Sequence, residues 1–128
     1  MTERRPQVTV IGSTDADPAM LAAAEASGRV IARLPAVLVT GGRGVVMEAA
    51  SRGAAAAGGL VVGILPGSDH TEANPWCSIA IPTGMGQGRN LPNVLAGDAV
   101  VVVGGAAGTL SELAFAWRFG RPCLAWTT

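Results

Sequence analysis

Short apolar runs alternate with longer amphipathic segments along the chain. Six apolar runs predict β-strands, at residues 8–12, 36–40, 60–65, 78–81, 99–103 and 123–126. Apolar residues at helical spacing predict helices over about residues 18–34, 45–57 and 90–96, and from residue 109 onward. Asp17 before Pro18 is typical of a helix start, because the carboxylate caps free N–H groups and proline fits the first helical position.

Strands that alternate with helices, and that are apolar throughout, indicate a parallel sheet covered by helices on both faces. We therefore predict an α/β fold with a doubly wound, Rossmann-like sheet of order about 3-2-1-4-5-6, in a single domain over residues 1–128. The carboxyl ends of all strands then meet at one edge, and ligands bind where the winding direction reverses. We therefore expect the functional residues in the loops along that edge.

A glycine-rich turn follows the fifth predicted strand. Residues 104–108 read Gly-Gly-Ala-Ala-Gly, and helical periodicity begins at Thr109. A strand, a turn of small residues and a helix N-terminus direct backbone N–H groups and a positive dipole end at one point, which suits phosphate. We predict that Gly105, Gly108 and Thr109 bind a phosphate, with the Glu112 carboxylate beside them.

Other loops at the same predicted edge carry residues of the same kind. A second turn made almost entirely of glycine follows the second strand, and a loop arginine precedes the third helix. Backbone N–H groups at such a turn cradle phosphate, and a guanidinium binds phosphate with two hydrogen bonds. The predicted ligand-binding residues here are Gly12, Ser13, Gly41, Gly42, Arg43, Gly44, Arg89 and Asn90.

Each of these patterns also has a purely structural interpretation. Thr109 and Glu112 have the spacing of a capping box, in which the two side chains satisfy the free N–H groups of a helix start. Glycine in a strand-to-helix turn can serve backbone geometry alone. An arginine in a loop is often only solvated. The sequence leaves these alternatives open.

The composition argues against several classes of enzyme and of partner. All nine basic residues are arginine, so the chain lacks the lysine that a P-loop or a pyridoxal phosphate enzyme requires. A net charge of zero argues against nucleic acid as a partner. His70 is the only histidine, and neither Cys77 nor Cys123 has a histidine to activate it, so we predict no metal site and no thiol catalysis.

The chain is 49% hydrophobic and 14% charged, which is typical of a folded domain. Residues 1–7 lead directly into a strand without the apolar core of a signal peptide. No apolar run approaches the ~18 residues of a membrane span. We therefore expect a cytoplasmic protein that does not associate with membranes.

Four motifs in order resemble a known superfamily. They are GGRGVVMEAASRGA, GGLVVGILPG, TGMGQGRN and GDAVVVVGGAAGTLSELAFAW. Together they resemble the Rossmann-like molybdenum cofactor carrier proteins and, more distantly, the lonely-guy phosphoribohydrolases, which release cytokinin bases from nucleoside monophosphates. The hydrolases carry PGGxGTxxE. In this chain Gly104 and Ala106 replace the proline and the second glycine, whereas Gly108, Thr109 and Glu112 match.

The two branches imply different functions. In a hydrolase, Glu112 would stabilise the oxocarbenium-like ribose and position a water, and Arg89 would hold the substrate; here Asn90 replaces the lysine that follows. The carriers bind a phosphorylated pterin-type cofactor without turning it over, and the altered motifs are nearer to that branch. We predict a binding protein for a phosphate-bearing, nucleotide-like ligand, with the molybdenum cofactor or a nucleotide as that ligand. The alternative is a nucleoside 5′-monophosphate phosphoribohydrolase.

We expect no cofactor to be required for folding. The resemblance implies a homo-oligomer, either a dimer or a tetramer. The last predicted strand, residues 123–126, is apolar and is followed by no predicted helix, with Trp117 and Trp126 nearby. Such a surface suits contact with a second subunit.

Overall fold

A six-stranded parallel sheet with helices on both faces forms the framework. The structure is a computed structural model that describes residues 4–13, 15–104 and 107–126. The strands are β1 (Gln7–Gly12), β2 (Val37–Thr40), β3 (Val61–Leu65), β4 (Ile79–Pro82), β5 (Ala99–Val103) and β6 (Cys123–Ala125). The helices are α1 (Pro18–Arg33), α2 (Val45–Ala56), α3 (Asn90–Ala96) and α4 (Ala107–Arg118), with short 3₁₀ helices η1 (His70–Glu72) and η2 (Gly86–Arg89). The predicted α/β fold class is confirmed.

The strand order is β4-β3-β2-β1-β5-β6, and every neighbouring pair is parallel. The predicted order of 3-2-1-4-5-6 is therefore wrong for β4, which lies at the edge beyond β3 rather than beside β1. Ile79 and Ile81 of β4 are 45% and 43% exposed, which suits an edge strand. The continuous apolar run of β5 takes the position beside β1, where both faces are covered.

Helices pack against both faces of the sheet. On one face, Val10 of β1 and Leu38 of β2 belong to a core cluster that also contains residues of α1 and α2. On the opposite face, Ile11 packs with Val94 of α3 and with residues of β5 and α4. The alternation of side chains along β1 thus places apolar groups in both layers.

Helices α1 and α2 pack in close contact because small residues line their interface. A Cβ atom at Gly28, inside α1, would lie 2.8 Å from the carbonyl carbon of Ala50 in α2. Gly53 of α2 meets the backbone of Glu25 in the same way. The glycine that weakens α1 as an isolated helix therefore permits this packing.

The carboxyl ends of the strands form one edge of the sheet, as predicted. The chain winds outward from β1 through β2, β3 and β4, and then crosses to β5 on the other side of β1. The winding direction thus reverses between β1 and β5. None of the helices in the described ranges has the length and apolar character that crossing a bilayer requires.

Candidate ligand-binding site

A cleft of about 320 Å³ opens at the carboxyl edge of the sheet. It lies between the start of α2, the end of β3 and the η2 turn. Its lining residues are Arg43, Gly44, Met47, Pro66, Gly86, Gln87 and Arg89. Two arginines and a helix N-terminus therefore face the same space, and within the described ranges none of the residues that line it is acidic.

The turn from β2 to α2 is built by glycines with positive φ angles. Gly42 and Gly44 have φ angles of 77° and 91°, a region that favours glycine. The Gly42 N–H donates to Thr40 Oγ1 at 3.0 Å, which fixes the turn. Gly44 is the N-cap of α2 and has no side chain that could cap the helix. Since no side chain caps α2 in the part of the chain that the structure describes, N–H groups of its first turn can donate to an anion.

Arg89 lies at the end of η2, and its guanidinium packs directly against the backbone of Gly41. Within the described ranges, no carboxylate oxygen lies within 4.0 Å of this guanidinium, and its buried Nε has no hydrogen-bond partner. Burial lowers the pKa of Arg89; the negative charge of Glu112 opposes that shift, and the positive charge of Arg43 adds to it. A half-buried cation without a counterion is a group that an anionic ligand would stabilise.

Arg43 also lines the cleft but has a carboxylate partner. Its Nη1 donates to Glu72 Oε2 at 3.2 Å. Glu72 belongs to η1, in the loop between β3 and β4. That loop is joined to the glycine turn by the Asn74 N–H, which donates to the Gly42 carbonyl at 2.9 Å.

Glu112 lies on α4 and is only 8% exposed. Its Oε2 accepts a hydrogen bond from Asn93 Nδ2 of α3 at 2.8 Å. Burial raises the pKa of Glu112 to about 6, against the opposing effects of this hydrogen bond and of the Arg89 charge. The Thr9 hydroxyl donates to the Asn93 carbonyl at 2.7 Å, so the pair is anchored to β1.

The structure bears on the capping-box interpretation. Helix α4 begins at Ala107, so Thr109 lies within its first turn rather than at the N-cap. The buried Thr109 Oγ1 has no hydrogen-bond partner in the part of the chain that the structure describes. Glu112 is engaged by α3 instead. The arrangement thus differs from a capping box, in which these side chains bond to the backbone of the same helix.

The remaining predicted residues lie along the same edge. Gly12 ends β1, and a Cβ there would collide with the Val103 carbonyl of β5 and with the Val46 side chain of α2. The Ser13 hydroxyl donates to the Asp15 carbonyl at 2.6 Å. Asn90 is buried at the start of α3. Gly108 lies in the first turn of α4, and Gly105 is outside the described residues. Their part in ligand binding stays a prediction.

Two residues of the site, Asn93 and Glu72, are not among those predicted from the sequence. Asn93 follows Arg89 by four residues and is a polar residue in the short helix Asn90–Ala96. A polar residue in a buried helix is a sequence signal that could have identified Asn93 as a candidate. Glu72 carries no comparable signal, because only the folded loop brings it beside Arg43, 29 positions earlier.

Comparison with known proteins gives consistent results. The family model described as LDcluster4, the SLOG cluster4 family, matches residues 5–127. A curated Archaeoglobus fulgidus protein, described only as uncharacterized, is 43% identical over 115 residues, which is 90% of this chain and 76% of that protein.

Two solved structures are similar over almost the whole chain. The molybdenum cofactor binding protein from Rippkaea orientalis is 42% identical with a TM-score of 0.92, and the match covers 97% of this chain and 77% of that one. The molybdenum cofactor carrier protein from Chlamydomonas reinhardtii is 36% identical with a TM-score of 0.89, covering 95% and 76%. The resemblance predicted from the four motifs is confirmed.

Proposed function

We propose a ligand-binding function for this chain, which belongs to the SLOG cluster4 family. The proposed ligand is a small molecule that carries a phosphate group, and the specific ligand is the molybdenum cofactor. The single observation that carries the proposal is the half-buried Arg89 guanidinium. It faces a cleft at an uncapped helix N-terminus and has no carboxylate partner within 4.0 Å among the described residues.

The residues of the cleft fit a phosphate. The buried Arg89 Nε lacks a partner in the described structure, and a phosphate oxygen is a strong acceptor for it. The first turn of α2 supplies further N–H donors and the positive end of a helix dipole. Arg43, which also lines the cleft, adds a second positive charge. This set of donors would hold the phosphate end of the cofactor, and the molybdenum-bearing part would be bound as cargo.

Similarity supports the choice of ligand. The Rippkaea orientalis and Chlamydomonas reinhardtii proteins are described as binding or carrying the molybdenum cofactor, and both exceed 35% identity with this chain. The phosphoribohydrolase alternative is not favoured, because both of these proteins are described by cofactor binding. We propose that Gly41 to Gly44 and Arg89 hold the phosphate, and that Thr109, Gly108 and Glu112 lie beside the bound molecule.

Co-purification tests this proposal. The protein is produced in a bacterial host that makes molybdenum cofactor, and the retained ligand is quantified as molybdenum by mass spectrometry and as oxidised pterin by fluorescence. We expect both signals in the wild type and a decrease of about tenfold or more in Arg89→Ala, because hydrogen bonds to charged groups contribute about 1.5–3 kcal/mol. The matched control is Arg33→Ala, an exposed arginine at the end of α1. Wild-type protein without pterin or phosphate-bearing ligand would contradict the proposal.

We further propose a cytoplasmic homo-oligomer. Trp117 on α4 is 86% exposed and Leu110, on the same helix, is 69% exposed. Residues spaced seven apart lie on one face of a helix, so these two side chains form an apolar stripe. A second subunit is the proposed partner of this stripe.

A further inference from the structure

Arg43 lines the proposed phosphate cleft while it is paired with a carboxylate of the protein itself. The Arg43 Nη1 to Glu72 Oε2 distance is 3.2 Å. The two guanidinium groups of the cleft repel each other, and the Arg43 charge lowers the pKa of Arg89. In the ligand-free protein, Glu72 therefore supplies the negative charge that pairs with Arg43 at the cleft.

Glu72 is held in this place by its own loop. The Asp69 N–H donates to Glu72 Oε1 at 3.4 Å, while the Asp69 side chain accepts from the Thr71 N–H at 2.9 Å, so a capping box orients the carboxylate. The loop is fastened to the glycine turn through Asn74 and Gly42. The Glu72 carboxylate is therefore positioned by its own loop as well as by Arg43.

We propose that Glu72 competes with the bound phosphate for Arg43, so that the Arg43 guanidinium exchanges partners when ligand binds and when it leaves. A phosphate dianion forms stronger charge-assisted hydrogen bonds than a partly exposed carboxylate, so the exchange toward ligand is favourable. Glu72 recaptures Arg43 as the ligand departs, which lowers affinity and assists release. This inference rests on the proposed function, and it assigns Glu72 as an affinity-determining residue that does not touch the ligand.

A double-mutant cycle tests the exchange. Binding of GMP, a stable phosphomonoester probe, is measured by calorimetry for the wild type, Glu72→Gln, Arg43→Ala and the double variant. Glutamine keeps an oxygen that can accept the Asp69 hydrogen bond, so the loop retains its turn. We expect Glu72→Gln to raise GMP affinity about two- to fivefold, the amount by which exposed ion pairs stabilise. In the Arg43→Ala background the same change should give no increase.

Controls separate this effect from others. Guanosine lacks the phosphate, so its binding should be the same in wild type and Glu72→Gln. Glu25→Gln removes a carboxylate that pairs with Arg52 instead, and it should leave GMP affinity unchanged. An equal gain from Glu72→Gln in both Arg43 backgrounds would mean simple repulsion through space and would overturn the exchange. No gain in either background would overturn it as well.

The proposed function is distinguished in the same titrations. If GMP binds the wild type and Arg89→Ala binds it more weakly, the phosphate site stands whatever the result for Glu72. If neither the wild type nor Glu72→Gln binds GMP, the exchange of Arg43 is overturned, whereas the proposed function is decided separately by the co-purification of pterin and molybdenum.

Discussion

Adding a single methyl group at Gly41 is predicted to disable the phosphate cleft without unfolding the protein. A Cβ atom there would lie 2.7 Å from Arg89 Cζ and closer still to Nη1, and the three nearest atoms all belong to this guanidinium. The far end of an arginine side chain can move, so Gly41→Ala should displace Arg89 from the cleft. Gly41 does not have a positive φ, so alanine fits its backbone conformation.

The expected loss of GMP affinity follows from the lost hydrogen bond between Arg89 and the phosphate. A hydrogen bond between a charged donor and phosphate contributes about 1.5–3 kcal/mol, so GMP affinity should fall roughly 10- to 150-fold. Replacing glycine by alanine at a compatible position stabilises a protein by about 0.4–1 kcal/mol through the unfolded chain. The melting temperature should therefore stay constant or rise slightly while the affinity falls.

Calorimetric titration with GMP and thermal unfolding, both at one fixed ionic strength, measure the two quantities. Gly28→Ala is the matched control, because its added methyl meets the backbone of Ala50 rather than a mobile side chain. It should destabilise the protein by about 1–3 kcal/mol and leave the GMP affinity of the folded protein unchanged. If Gly41→Ala binds GMP with the affinity of the wild type, Arg89 is not the hydrogen-bond donor to the phosphate.

Three further predictions concern the buried acid and the exposed helix face. Because the pKa of Glu112 is raised from 4.5 to about 6, its contribution to the free energy of unfolding is present below pH 4.5 and is lost as the pH rises through 6. Glu112→Gln should remove about 2 kcal/mol of this decline in the free energy of unfolding, measured by urea unfolding at several pH values. Parallel pH profiles for the two proteins would contradict this prediction. Asn93→Ala removes a donor that stabilises the Glu112 carboxylate, so the pKa of Glu112 should rise above about 6 in a carbon-13 NMR titration; an unchanged value would refute this role. Trp117→Glu should convert the proposed oligomer to smaller species in light scattering; a wild type that is already monomeric would disprove the interface.

Local patterns predicted most of the fold for a physical reason. A strand such as Ala99–Val103 is apolar throughout because helices cover both of its faces. Its burial can therefore be predicted from its sequence. The predicted position of β4 in the sheet was wrong because a short, half-exposed strand of this kind can pair at more than one edge. Its neighbour is decided by the connection through residues 66–78 and by the register with β3, neither of which is a local property.

The candidate site was predictable in part. The glycine turn at residues 41–44 and Arg89 were identified from residue type, and the structure places them against each other. The partners of the charged groups were not predicted. Asn93 meets Glu112 across 19 positions, and the two lie on different helices. Such contacts depend on how helices dock on the sheet, which residue spacing within one helix does not encode.

We propose above that the phosphate of the ligand binds between Arg89 and the start of α2. A crystal structure of the protein with the ligand retained through purification tests it most directly, since phosphorus and molybdenum positions can both be located. We predict phosphate oxygens within hydrogen-bond distance, about 3 Å, of the Arg89 guanidinium and of N–H groups in the first turn of α2. A bound ligand whose phosphate lies elsewhere, with Arg89 unliganded, would contradict the account.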